Sequence, residues 1–406
     1  MRHTMSKAVV TALVLGVIVS YGQPAGDASP KDRLFARIYG SVAGAFIGNA
    51  IGEPVEGWTW EKIESTFGFL DKFVASKQAL RQAARPIPQR YGPPWMARTY
   101  ERQVGWTEDG MERYKLLACA VIKKGGRVNV EELAREWIER VDPNKFGYHM
   151  GNQDQIIYNL LKAGIPPYDA GRYTPWPGSM GTSKMIGVLG IVNACRPDNA
   201  ARDALDVTRI KDSQGLPNDY ALENAAALAS ATAEALRPGA TVNSVIEAAL
   251  AQLPNERGAR QEVQGFLDQA KKAKDYKDLR VIYAERYKPS GGRFPITAAI
   301  EILGGGLASF RLADGRPREA VLNAINIGRD TDCKAYVAAG LAGALRGIEA
   351  WPPEWVQTVE KAVLTDTYTV DKRNARQMAE GLYKAALNEH ARAKAAGSEV
   401  DSLLAK

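Results

Sequence analysis

Three features of the 406-residue sequence predict an all-α fold. Apolar residues recur at three- and four-residue spacing in segment after segment, the mark of amphipathic helices. Alternating β-branched runs are too few to build a sheet. Glycines at 40, 44, 48 and 52 fall four apart, on one face of a helix. Each such glycine costs up to about 1 kcal/mol relative to alanine, so the row predicts a second helix pressed against that face.

Taken in order, the first helix is expected over residues 34–53 and carries that row in GSVAGAFIGNAIG. The next, over 108–124, starts at Thr107-Glu108-Asp109, where a threonine suits the N-cap and acids suit the positive end of the dipole. Periodicity alone predicts helices over 130–140, 152–163, 182–195, 199–208, 219–236, 241–252, 257–273, 294–311 and 316–327. A helix over 332–347 repeats the acidic start, with Asp330-Thr331-Asp332 before the small-residue run GLAGALRG. A last one is expected over 353–364. Two irregular stretches, 85–106 and 164–181, are rich in proline, tyrosine and tryptophan. They read either as surface padding or as binding loops on a helical scaffold, with Trp106 as a platform residue.

Composition narrows the function. With 45% hydrophobic and 24% charged residues the chain is globular, and its net charge of +7 is spread without a basic block. A nucleic-acid partner is therefore not expected. Arg2 and Lys7 precede an apolar run from Ala8 to Val19, too short to span a bilayer, which reads as a signal peptide over 1–22 with cleavage anywhere up to residue 28. That predicts a periplasmic or secreted mature chain with no membrane insertion. One domain is expected over 31–388, followed by a polar, frayed tail over 389–406. Three distant cysteines do not form a disulfide framework. Histidine occurs three times, with His149 alone in the body of the chain, so acid–base or metal chemistry falls to carboxylates.

The two acidic helix starts offer Thr107, Glu108, Asp109, Asp330 and Asp332, an oxygen set suited to hard cations such as Mg²⁺. If they meet, their mutual repulsion calls for cations, which two metal ions would supply. Capping explains each start separately but not their pairing.

These starts, in this order, together with GAFIGNAIGEPVEG in the first helix, resemble the ADP-ribosylglycohydrolase family over about Leu34 to Gly347. The resemblance implies a compact single-domain orthogonal helical bundle with a binuclear magnesium centre, cleaving the bond between ADP-ribose and an acceptor. It places metal ligands at Thr107, Glu108, Asp109, Asp330, Asp332 and Cys333, with Cys333 where the family has threonine. Glu56 and Asp109 become the catalytic residues. Gly178, Ser179, Met180 and Gly181 match the loop that holds the ribose and diphosphate. Glu108 replaces an aspartate and Asn49 stands where the family often has one. Cysteine is a poor partner for Mg²⁺, so Mn²⁺ is the alternative metal. The expected partner is an ADP-ribosyl conjugate or another small-molecule glycoside; a non-nucleotide glycosidase and an inactive binding protein of the same fold are the alternatives.

Overall fold

The computed structural model describes residues 29–83, 101–147, 150–174, 177–179, 183–212, 220–254, 258–287 and 297–405. The proposed signal segment lies outside them. The helices are α1 Pro30–Gly52, α2 Trp60–Phe67, α3 Ser76–Gln82, α4 Asp109–Lys124, α5 Val130–Arg140, α6 Asn152–Lys162, α7 Pro167–Ala170, α8 Gly187–Val192 and α9 Pro197–Val207. They continue with α10 Ala221–Ala235, α11 Val242–Ala251, α12 Ala259–Ala270, α13 Tyr276–Arg286, α14 Ala299–Leu312, α15 Pro317–Asn326, α16 Thr331–Arg346, α17 Pro353–Thr365 and α18 Ala375–Leu404. Among the described residues there is no strand, only two isolated bridges, Trp58 with Arg329 and Ser179 with Ala298.

The core is organised around α1 and α16, the most extensively packed pair. The glycine row lets them meet backbone to backbone: a methyl on Gly40 would lie 2.5 Å from Gly343 O, and one on Gly52 would lie 2.6 Å from Asp332 Cα. Gly44 and Gly48 are closed off in the same way by Ala339 and Ala335. α1 is long and apolar enough to cross a membrane, but most of it is buried under its neighbours, as suits a core helix. Its start is fixed by a capping box between Ser29 and Asp32. Gly48→Ala is expected to lower stability by about 1–3 kcal/mol, because the added methyl meets rigid helix backbone. Denaturant unfolding reads the effect, and a change below about 0.5 kcal/mol would mean that the pair separates freely.

Five helices lie where periodicity predicted none, the short α3 and α7 and three others. In α2 only Ile63 is buried, and in α13 the buried face is Leu279, Arg280 and Tyr283, so an arginine stands where an apolar residue would signal a stripe. The third, α18, packs through Ala375, Met378, Ala379, Leu382, Ala385 and Ala386, and its small side chains mute the pattern. The tail expected to fray after Asn388 instead continues this helix to Leu404, although residues 391–405 are exposed. Its alanine- and charge-rich sequence has no proline to stop it. The helix expected over 182–195 breaks into a 3₁₀ turn at Ser183–Met185 and the short α8.

Candidate active site at two helix starts

The glycine row also sets the register of the site. Because α16 lies directly on α1, its first turn rests on the last turn of α1, where Thr331 Oγ1 donates to Gly52 O at 2.7 Å. Asn49, one turn back and fully buried, then ties both acidic starts together. Its Nδ2 donates to Glu108 Oε1 at 2.6 Å and to Asp332 Oδ2 at 3.2 Å, while its Oδ1 accepts from Glu108 N at 3.2 Å. Glu108 in turn caps α4 through Gly110 N at 2.9 Å.

The turn into α16 is held under strain. Arg329 has φ 63°, a left-handed conformation that costs a residue with a side chain about 1–3 kcal/mol. Two backbone bonds hold it, Arg329 N to Trp58 O at 2.6 Å and Gly57 N to Arg329 O at 2.9 Å. Its guanidinium clamps buried Glu301 at 2.6 and 2.8 Å. The same staple fixes the loop that carries Glu56 beside the start of α16. Asp330 caps that helix, its Oδ1 accepting from Cys333 N at 3.2 Å. The other oxygens, Asp330 Oδ2 and Asp332 Oδ1, are buried with no hydrogen-bond donor among the described residues. Such atoms are costly unless a proton or cation meets them. Asp330, Asp332 and Cys333 form a three-residue group in which one carboxylate oxygen of each aspartate and Cys333 Sγ lie within 4.8 Å of one another. Two hard oxygens and one soft sulfur fit a divalent cation, with the sulfur favouring Mn²⁺ over Mg²⁺.

One cation at the site belongs to the chain itself. Lys184, 2% exposed, places Nζ 2.6 Å from Glu108 Oε1 and 2.5 Å from Asp332 Oδ2. Burial alone would lower its pKa, but Asp332, Cys333, Glu108 and Asp330 outweigh that and hold it well above the ordinary lysine range. Burial likewise opposes ionisation of Glu108, yet the Lys184 charge prevails and holds its carboxyl well below the usual range. Asp330 is pushed well above that range by desolvation and by Asp332.

Of the residues expected at the site, Glu108, Asp330, Asp332 and Cys333 come together. Asp109, half-buried, pairs with Arg113 at 2.5 Å, and Arg113 is shared with buried Asp154 at 2.5 Å. Thr107 Oγ1 accepts from Lys115 Nζ at 3.3 Å, and Lys115 pairs with Glu112 at 2.6 Å. Thr107 thus belongs to a neighbouring ion-pair network. Glu56 is exposed, with no hydrogen bond or salt bridge to its carboxyl among the described residues. Desolvation by the surrounding wall and repulsion from Asp332, Asp330 and Glu108 raise its pKa well above the usual range. Solvent at the rim tempers the first cause but leaves the direction intact.

Trp106 faces away along α17, its Nε1 donating to Thr365 Oγ1 at 3.1 Å. Gly178 and Ser179 pair with α14 through Gly178 O and Ala299 N at 2.8 Å. Ser179 Oγ accepts from buried Lys211 at 3.0 Å and donates to Gln153 at 3.3 Å, and Lys211 pairs with buried Asp212 at 3.1 Å. Met180 and Gly181 lie outside the described residues. Sequence reasoning missed Lys184, Arg113, Asp154 and Glu53. Glu53 is a buried carboxyl paired with Arg102, raised to about 7 by desolvation despite that partner. A signal did exist for Lys184, which is the one charged residue between Gly178 and Cys195.

A family model described as ADP-ribosylglycohydrolase matches residues 30–391. The chain is 22% identical over 330 residues to an uncharacterized protein of Escherichia coli (strain K12), YegU, spanning 78% of this chain and 90% of that one. Among solved structures, an ADP-ribosylglycohydrolase-related protein complex superposes with a TM-score of 0.57 at 21% identity, covering 87% of this chain and 99% of that one. At that identity the structural likeness establishes the all-α fold.

Proposed function

The chain belongs to the ADP-ribosylglycohydrolase family, and from that premise we propose that it is an exported, divalent-metal-dependent hydrolase of an N- or O-glycosidic bond in an ADP-ribosyl or related glycosyl conjugate. The observation that carries the reading is the buried pair Asp330 Oδ2 and Asp332 Oδ1, donor-free among the described residues, in the electrostatic reach of Glu56, which has no partner among them. Asp330 and Asp332 would hold the cation, which supplies Lewis-acid polarisation of sugar oxygens. Asn49 and Lys184 fix Asp332, so its carboxylate is oriented before substrate arrives. Glu56, held toward its protonated form, gives a proton to the leaving atom. Ser179, with Lys211 and Asp212 behind it, offers polar groups for substrate hydroxyls or phosphates.

One observation favours a second reading, a binding protein without turnover: Glu108 is already saturated by Lys184, Asn49 and Gly110. Assays of the mature protein on ADP-ribosylated and plain glycosides, with EDTA and with added Mg²⁺ or Mn²⁺, separate the two. Hydrolysis lost with EDTA and restored by the metal is expected. Tight glycoside binding without turnover under every metal condition would select the binding protein.

A further inference from the structure

Three carboxylates, Glu108, Asp330 and Asp332, come together at the two helix starts with Asp109 next to Glu108 in the chain, and their charges must be met by something. On the α4 side the protein meets them itself. Asp109 shares Arg113 with Asp154. Glu108 receives an ammonium, an amide and a backbone N–H. Nothing at Glu108 is left donor-free. On the α16 side, by contrast, Asp330 and Asp332 are each 1% exposed and each keeps one oxygen without a donor among the described residues.

From this division we infer that the centre takes one divalent ion, on Asp330 and Asp332, and that the Lys184 ammonium stands where a second ion would otherwise bridge Glu108 and Asp332. The inference rests on the metal-dependent reading above and concerns only the number of ions. Lys184 Nζ touches one carboxylate from each helix start, at 2.6 and 2.5 Å, which is the place of a bridging cation. A metal there would have to expel a lysine whose stem is enclosed. The Lys184 chain runs across Gly110 so closely that a methyl on that glycine would lie 2.8 Å from Lys184 Cε. Gly110 is therefore the residue that admits the lysine. Asn49 completes the arrangement by donating to the same two oxygens, Glu108 Oε1 and Asp332 Oδ2. The charges close as well: Glu108, Asp330 and Asp332 against Lys184 leave two negative charges, which a single divalent ion neutralises.

The test is to count Mn²⁺ bound to the full chain after chelator treatment and dialysis, with electron paramagnetic resonance as the readout. Two ions about 4 Å apart give an exchange-coupled spectrum, whereas a lone ion gives the simple six-line pattern. The wild-type protein is expected to bind one Mn²⁺ with an uncoupled spectrum. Lys184→Met should raise the count to two and introduce coupling. Gly110→Ala, which crowds the lysine out, should move in the same direction and serves if Lys184→Met does not fold. Two coupled ions in the wild type, no ion in the wild type, or a folded Lys184→Met protein that still binds one would each overturn the inference. The count is independent of turnover. A wild-type protein that binds one ion but cleaves no glycoside would contradict the proposed activity and leave the count standing.

Discussion

Asp332→Asn is expected to abolish divalent-ion binding while leaving the fold intact. The change keeps the side-chain shape but removes the charge that faces Lys184 and replaces the donor-free oxygen with an amide nitrogen. Losing a group that merely supports a metal ligand costs about 10–100-fold in affinity, so losing a ligand should exceed about 100-fold. Turnover on any identified substrate should fall in parallel. Stability should change little, because Glu108 still pairs with Lys184 and Asn49 still donates to Glu108. Calorimetric titration with Mn²⁺ beside a thermal melt distinguishes the outcomes. Retained affinity would move the ion away from this carboxylate, and unfolding would mark Asp332 as structural.

Glu56→Gln carries the second large effect, and on turnover rather than on binding. The loop is stapled to Arg329 by two backbone bonds, so the substitution should not shift it. Among the described residues its carboxyl makes no hydrogen bond or ion pair that glutamine would break. Removal of a proton donor from the reacting centre costs on the order of 10²-fold or more in kcat. Ion affinity should stay nearly unchanged. A loss of only a few fold would exclude Glu56 from proton transfer. With Glu108 and Asp109 both engaged by cations, the proton would then have to come from solvent.

The features legible in the sequence were those written in local spacing. Four glycines at a four-residue interval leave little use except close approach, and α16 lies on them as expected. Both acidic starts are legible because capping is a short-range interaction, although α4 is capped by Glu108 and not by the expected Thr107. Lys184 was illegible for the opposite reason: its partners are 76 and 148 residues away, and a single lysine before an apolar run looks like a solvated turn residue. Arg113 was hidden in the same way, since its partner Asp154 belongs to another helix. Thr107 illustrates a converse error, for a residue adjacent to Glu108 in sequence directs its hydroxyl to Lys115. In α13 and α18 the buried faces hold only one leucine, and one leucine with one methionine, among arginine, tyrosine, alanine and glutamate, which leaves too little hydrophobic contrast to declare a helix.

The central claim, that the start of α16 is a metal centre, is tested most directly by anomalous diffraction from crystals of the full chain equilibrated with Mn²⁺. An anomalous peak within ordinary Mn–O distance of both Asp330 and Asp332 is the expected result. A peak confined to other carboxylates, or none at all at saturating Mn²⁺, would contradict it and leave the paired acidic starts as helix caps bridged by Lys184.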